Sequence, residues 1–410
     1  MNLSTISLVA GSSSENLQAL AEVRDFSVDP ETGLTYRVLS EPSLTARLVR
    51  LANVQANEFC DSVSIQPCTA TRNQDRCVVE TWDLLGGSWF FSAVLDGHCG
   101  HDLVDYISHT LPSSIRSALQ EALDGGKDIS PDTVKSLLSK ALVNFDHSIK
   151  SEFIKKFSGG VEKADSRNKT QVQASLDEKH MIAVRCSQGA ALIIGLVDPG
   201  RKNQWIANLG DCQAVYARKS PVGSWNAILV NALHDAENPL EIDRIRREHP
   251  SETECIVDKR VIGFLTPTRA IGDTWLKLPA IYTRSVFVEV NSDIEANVDT
   301  YAKRIITPPY VSSIPDTYHH VIESPEDFVI MFSDGLPDLY DETDPQTLAE
   351  HMVAVVGRAL SSSNRSRDLS VNLLKDALGG EDLEAMSLRL TLESEEQWMD
   401  DTSIIVQRFQ

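Results

Sequence analysis

Short apolar runs with strand character occur in clusters along this chain, and helical patterns lie between the clusters, some of them in pairs. The runs CVVETW and WFFSAVL flank a Gly-Gly, and AALIIGLV and QWIANLG flank Asp-Pro-Gly, which predicts hairpins. Helical periodicity follows at 101–119, from Ser130 to Ile149, at 240–248 and at 346–360. Because this order is not strict strand–helix alternation, it predicts an α+β architecture of packed antiparallel sheets with helix pairs outside.

The composition excludes several classes of protein and of partner. The 410 residues are 42% hydrophobic and carry 38 basic against 59 acidic side chains, a net charge of −21. Such a chain is globular and repels polyanions, so we expect no nucleic acid among its partners. No apolar run reaches the roughly 18 residues of a spanning helix, which predicts no membrane span. Seven cysteines without a C-x-x-C pair favour a reducing compartment.

Several predicted strands end or begin at an aspartate. WFFSAVL runs into Asp96 and Gly97, DFVIMFS runs into Asp334, and QWIANLG runs into Asp211. The remaining members of this set are Asp338, four residues after Asp334, Asp75 before CVVETW, and Asp400 before the last strand. One Asp-Gly after a strand is usually only a turn, but the repetition in one chain weakens that interpretation.

Carboxylates gathered at the rim of a sheet repel one another unless a cation neutralises them. Oxygen ligands alone select Mg²⁺ or Mn²⁺ rather than zinc, and a pair of such ions activates water for phosphoryl transfer. The aspartates therefore predict a site for hard divalent cations with a hydrolytic function.

Seven segments resemble, in order, those of the type 2C metal-dependent protein serine/threonine phosphatases. They are Asn73-Gln74-Asp75-Arg76, Asp96-Gly97-His98-Cys99-Gly100, Gln188-Gly189-Ala190-Ala191, Asn208-Leu209-Gly210-Asp211, Thr268-Arg269-Ala270-Ile271-Gly272-Asp273, Ser333-Asp334-Gly335 with Asp338, and Asp400-Asp401-Thr402-Ser403. The resemblance implies a four-layer αββα sandwich with two mainly antiparallel sheets flanked by helix pairs. We expect a catalytic domain at 56–410 and, at 1–55, an N-terminal extension with a helix near Pro42.

The resemblance also implies roles for individual residues. Two Mg²⁺ or Mn²⁺ ions would be held by Asp75, Asp96, the Gly97 carbonyl, Asp334 and Asp400, with a third, weaker ion at Asp211 and Asp338. Asp96 would bridge the two ions, and the water between them would attack a phosphoserine or phosphothreonine. His98 would protonate the leaving oxygen, and the motif that contains Arg269 and Asp273 would be structural.

Phosphate binding by the protein is predicted less directly. Many family members place an arginine five residues before the Asp75 position, where this chain has Ala70. Arg72 is the nearest substitute, at a different spacing. Four further residues depart from the family pattern: Gln74, Cys99, Ala191 and Pro337. These departures leave open an alternative function, a catalytically weak or inactive pseudophosphatase that acts as a regulatory binding module.

Further segments resemble the pyruvate dehydrogenase phosphatase subgroup; among them are Ala56-Asn57-Glu58-Phe59 and Thr307-Pro308-Pro309-Tyr310. That subgroup implies the mitochondrial matrix. In contrast, the first 23 residues contain Glu15 and Glu22 but no Lys or Arg, which is unlike a presequence and predicts a cytoplasmic protein. The expected partner is a phosphoprotein substrate, and the sequence identifies no regulatory subunit.

Overall fold

The structure is a computed structural model that describes residues 23–125, 129–157, 169–221, 223–361 and 368–409. Its strands are β1 (Val23–Val28), β2 (Thr35–Leu39), β3 (Gln55–Ala56), β4 (Cys60–Ile65), β5 (Arg76–Leu84), β6 (Gly87–His98), β7 (Gly189–Val197), β8 (Asn203–Leu209), β9 (Gln213–Lys219), β10 (Trp225–Leu229), β11 (Ile256–Val257), β12 (Arg260–Val261), β13 (Ile271–Gly272), β14 (Asp316–Val321), β15 (Phe328–Phe332) and β16 (Thr402–Arg408).

Helices occupy the connections between these strands. They are α1 (Ser43–Leu51), α2 (Asp102–Asp124), α3 (Pro131–Phe157), α4 (Lys169–Ser187), α5 (Pro239–Glu248), α6 (Ala280–Ser285), α7 (Ser292–Ala296), α8 (Val298–Arg304), α9 (Pro345–Ser361), α10 (Leu369–Ala377) and α11 (Leu383–Thr391). Short 3₁₀ turns lie at Thr274–Leu276, Phe287–Glu289 and Pro337–Leu339.

Two antiparallel sheets form the centre of the molecule. The first has the strand order β10-β9-β15-β16-β4-β3, and the second has the order β14-β8-β7-β6-β5, with β13 pairing to β7. Strand β7 is buried along its whole length, which explains its uninterrupted apolar sequence. Residues such as Val94, Ile193, Met331 and Ile405 fill the space between the two sheets.

Helices cover the outer face of each sheet. The pair α2 and α3, with α4 beside them, buries its apolar residues against the second sheet. Helices α9, α10 and α11 cover the first sheet, and Leu44 and Leu48 of α1 belong to the same apolar cluster. The predicted α+β sandwich of four layers is therefore confirmed.

Three details of the secondary structure differ from, or add to, the sequence predictions. The Gly, Ser and charged residues of 158–179 predict a long surface loop. In the structure α4 begins at Lys169, so this prediction is wrong for 169–179, whereas 158–168 lie outside the described residues. The helix predicted near Pro42 is present as α1, whereas the division of the chain at residue 56 stays a prediction. Within the described residues, no helix combines the length and apolarity that crossing a bilayer requires.

The packing between the sheets generates a stability prediction. Ile405 is fully buried in that layer, so replacing it with alanine leaves a cavity, and we expect Ile405→Ala to lower the free energy of unfolding by about 2–5 kcal/mol. Ile281, which is 53% exposed, provides the control, since Ile281→Ala should change stability by less than about 0.5 kcal/mol. Urea unfolding of both variants tests this, and equal losses would contradict the assignment of the core.

Candidate active site

The antiparallel registers bring the aspartate-bearing strand ends to one edge of the two sheets. Asp96, near the end of β6, lies opposite Ala191 near the start of β7. Phe332, the last residue of β15, lies opposite Ile404 near the start of β16, so Asp334 and Asp400 leave the sheet on the same side. Asp211 occupies the turn between β8 and β9 at this edge.

Three of these carboxylates meet directly. One oxygen from each of Asp96, Asp211 and Asp334 lies within 4.8 Å of the others. Together with Gly97 and Asp400 they line an open cavity of about 420 Å³. The resemblance grouped Asp211 with the weaker third ion, and in the structure one of its oxygens lies within 4.8 Å of an oxygen of Asp96 and of Asp334.

Asp75 lies beneath this cavity and is 1% exposed. Its Oδ2 accepts a hydrogen bond from the Ser333 hydroxyl at 2.6 Å, and its Oδ1 has no partner among the described residues. Asp401, beside it, accepts from the Gln74 backbone N–H and from the Gln66 side chain, each at 2.8 Å. Asp75 therefore keeps one buried carboxylate oxygen for a group that the described part of the chain does not supply.

The electrostatics of the cluster are unfavourable without a cation. Burial, followed by repulsion from Asp334, Asp75, Asp211 and Asp400, raises the pKa of Asp96 far above its usual range. Burial and the Asp334 charge raise the pKa of Asp211 to about 8, and the same two causes raise that of Asp400 to about 6. Such shifts arise where like charges share a site.

The donor set fits hard divalent cations. It consists of carboxylate oxygens and a backbone carbonyl, and the lining of the cavity includes Cys99 but no histidine other than His98. Burial raises the pKa of the Cys99 thiol to about 12, so this group is no thiolate ligand at neutral pH. Ions of the Mg²⁺ and Mn²⁺ class prefer oxygen ligands of this kind.

His98 is fixed by a residue to which the sequence assigned a structural role. Its Nε2 lies 2.9 Å from Oδ2 of the fully buried Asp273. Burial alone lowers the pKa of His98, but the Asp273 carboxylate and the more distant Asp211 and Asp334 outweigh burial and raise it. Gly189 leaves room for this contact. A Cβ at position 189 would lie 2.1 Å from both His98 Nε2 and Asp273 Oδ2.

Arg72 and Asp338 are placed less favourably than the other predicted residues. Arg72 is exposed and lies outside the cavity, since its guanidinium pairs with Asp105 at 2.9 Å and contacts His101. Asp338 is also exposed and outside the lining, but after burial its negative charge contributes to the raised pKa of both Asp334 and Asp400.

Sequence reasoning missed two charged residues of the cavity wall. Arg260, on β12, and Asp293, on α7, both line the cavity. Strand β12 has two residues and α7 has five, so neither carries a detectable periodic pattern. Gln74, where an acidic residue is usual, accepts a hydrogen bond from the Gly100 N–H at 2.5 Å and so holds the turn that follows His98.

Comparison with known proteins identifies the family. The model of the protein phosphatase 2C family matches residues 81–379. The chain belongs to the protein phosphatase 2C family. The matched segment contains most of the cavity residues, including Asp96, His98, Asp211 and Asp334, whereas Asp75 and Asp400 lie outside it.

Relatives with curated names agree with this assignment. A protein phosphatase 2C homolog of Schizosaccharomyces pombe is 26% identical over 375 residues, which cover 85% of this chain and 79% of that protein. The human mitochondrial pyruvate dehydrogenase [acetyl-transferring]-phosphatase 1 is 31% identical over 180 residues, which cover 42% of this chain and 32% of that protein. The chain thus matches about a third of that relative's length.

Solved structures support the fold alone. A serine-threonine phosphatase 2C from Toxoplasma gondii aligns with a TM-score of 0.52 at 15% identity, covering 87% of this chain and 97% of that one. A sex-determining protein of C. elegans aligns with a TM-score of 0.53 at 17% identity, covering 87% of this chain and 66% of that one.

The raised pKa of Asp211 predicts how stability depends on pH in metal-free protein. A carboxyl group whose folded pKa is about 8, against an ordinary value of 3.8, stabilises the fold at low pH and loses that contribution as the pH rises through 8. With EDTA present, we expect the free energy of unfolding of the wild type to fall between about pH 4 and pH 8. Asp211→Asn should reduce this fall by at least about 1 kcal/mol.

Urea unfolding at several pH values measures the effect. Asp341→Asn removes a carboxylate that is exposed and should follow the wild-type curve. Identical pH dependence in the wild type and in Asp211→Asn would show that Asp211 is not held in a repulsive cluster.

Proposed function

We propose that this protein is a Mg²⁺- or Mn²⁺-dependent protein serine/threonine phosphatase. The observation that carries the proposal is the meeting of Asp96, Asp211 and Asp334 within 4.8 Å, in the cavity that also contains His98. Membership of the protein phosphatase 2C family supports the same reaction class. No feature of the described residues favours the pseudophosphatase alternative over an active enzyme.

Two ions would be held by Asp75, Asp96, the Gly97 carbonyl, Asp334 and Asp400. The unpartnered Oδ1 of Asp75 and the mutual repulsion of the other carboxylates support this assignment. Asp211 and Asp338 would serve a third, weaker ion. Bound divalent ions neutralise the carboxylates, polarise a phosphoryl oxygen and lower the pKa of water that they bind.

His98 would act as the general acid. Hydrolysis of a phosphoserine or phosphothreonine breaks the bond between phosphorus and the side-chain oxygen, and that oxygen must gain a proton as it leaves. Protonated His98 keeps its Nε2 proton toward Asp273, which orients the ring and leaves the Nδ1 proton for the leaving oxygen. The raised pKa of His98 supports this protonated form.

The substrate would be a phosphoprotein, and Arg260 is better placed than Arg72 to contact its phosphate. Arg260 lines the cavity, and among the described residues its guanidinium donates one hydrogen bond, to the Phe264 carbonyl at 2.9 Å. Its other N–H groups are available, because an arginine carries five donors. Arg72 lies outside the cavity, and its two terminal guanidinium nitrogens contact Asp105 and His101.

The compartment stays a prediction. The sequence favours the cytoplasm, with the mitochondrial matrix as the alternative, and several relatives carry "mitochondrial" in their names.

Removal of a cavity carboxylate should abolish most of the activity. We expect Asp96→Asn or Asp334→Asn to lower kcat toward a phosphothreonine peptide with Mn²⁺ by at least about a hundredfold, because each removes an ion ligand. EDTA should stop the wild-type reaction. Asp341→Asn is the control and should keep the wild-type rate.

Wild-type rates in both variants would contradict the ion assignment. A wild-type protein that stays inert with every divalent ion tested would favour the pseudophosphatase alternative instead.

The two arginines can be separated by steady-state kinetics. We expect Arg260→Gln to lower kcat/KM for the phosphopeptide by about tenfold or more, since it removes a charge-assisted hydrogen bond to phosphate. Arg72→Gln should change kcat/KM by less than about twofold. The reverse order of effects would return the phosphate-binding role to Arg72.

A further inference from the structure

A second cavity, of about 740 Å³, lies away from the carboxylate cluster. Its walls come from β2, from α1 and from the segment that follows α11, and loop residues Pro67 and Thr69 complete them. None of its lining residues lines the candidate active site. It is larger than that site and falls within the size range of pockets for small organic ligands.

Three arginines line this second cavity, in a protein whose net charge is −21. Arg47 and Arg50 belong to α1, and Arg37 belongs to β2. Burial and the neighbouring Arg50 and Arg37 charges lower the pKa of Arg47. Arg37, Arg47 and Arg50 thus place three positive charges on the wall of one cavity.

The positive charge of the cluster is only partly compensated. Arg37 pairs with Glu393 at 3.3 Å, and Arg47 donates to the Leu390 carbonyl at 3.2 Å. Across the described parts of the chain, neither Arg47 nor Arg50 has a carboxylate within ion-pairing distance, although Glu395 also lines the cavity. Three cations thus face two carboxylates, one of which is already paired.

The cavity also offers an apolar surface beside the arginines. Leu39, Ala46, Pro67 and Leu392 line it. Guanidinium groups bind phosphate through several parallel hydrogen bonds, and an adjacent apolar wall favours a ligand with a hydrocarbon or aromatic part. A free inorganic ion would contact the arginines but leave the apolar wall unused.

We propose that this cavity binds a small organic phosphate, with the phosphate on Arg47 and Arg50 and the apolar part against Leu39 and Leu392. The site is separate from the proposed catalytic centre. Binding can be measured without metal or turnover, so its failure would leave the phosphatase proposal untouched.

Isothermal titration of the full chain in EDTA tests the proposal with 1-naphthylphosphonate, which a phosphatase cannot hydrolyse at its carbon–phosphorus bond. We expect one site per chain and binding about tenfold tighter than that of inorganic phosphate, because the naphthyl group adds apolar contact. Arg50→Gln should weaken binding about tenfold or more. Because Arg50 is exposed, the Arg50→Gln substitution leaves the packing of the core unchanged.

Matched variants locate the site. Arg47→Gln should weaken the phosphonate as Arg50→Gln does, whereas Arg116→Gln, at an exposed position of α2, should bind like the wild type. Arg260→Gln should also retain binding, since Arg260 belongs to the other cavity. Loss in Arg260→Gln with no change in Arg50→Gln would overturn the proposal, and so would the absence of binding at millimolar concentration.

A phosphoserine peptide distinguishes the source of the phosphate. If the cavity serves small molecules, the peptide should bind more weakly than 1-naphthylphosphonate. Tighter binding of the peptide, lost in Arg50→Gln, would overturn the small-molecule assignment.

Discussion

Mutual repulsion among carboxylates gathered at one shared edge of two sheets is the constraint on which the rest of this structure depends. One oxygen from each of Asp96, Asp211 and Asp334 lies within 4.8 Å of the others, although Asp96 belongs to β6, Asp211 to the turn between β8 and β9, and Asp334 to the segment after β15. In metal-free protein this arrangement raises the pKa values of its members and costs stability. A fold tolerates such a cost only if the elements that carry the charges are rigid, and binding of protons or of metal cations relieves it.

Two features supply that rigidity. The apolar layer between the sheets locks the strands in register, with Val94 of β6, Ile193 of β7, Met331 of β15 and Ile405 of β16 packed in one cluster. Beneath the cavity, neutral donors hold the carboxylates that face inward: Ser333 binds Asp75, and Gln66 and Gln74 bind Asp401. Because these donors are uncharged, they orient the carboxylates while leaving the negative charge of the site available to cations.

From the sequence, we could predict the strands, which appear as short apolar runs, and the polar residues at the ends of those runs. The aspartates at the ends of the strands could be identified because apolar runs place a polar residue at a sheet rim, and antiparallel pairing brings those rims together. The direction of a long side chain could not be predicted, and Arg72 turns to Asp105 rather than to the cavity. No sequence pattern indicated Arg260, because β12 is too short to show alternation. The helix at 169–179 was missed because a polar, charged helix resembles a loop in composition.

Asp273 belongs to a motif for which the resemblance implied a structural role, and in the structure its carboxylate contacts His98. Its backbone adopts a left-handed conformation, with φ of 44°, which costs a non-glycine residue about 1–3 kcal/mol and persists only where its surroundings enforce it. The enforcing group is a buried ion pair: Asp146 accepts from Lys277 at 2.7 Å and from the Gly272 N–H at 2.9 Å, while Lys277 also donates to the Ala270 carbonyl. Asp146 and Lys277 thereby fix the turn that aims Asp273 at the imidazole. In the same motif Arg269 pairs with Glu241 and Asp316, whereas the last residue, Asp273, contacts His98.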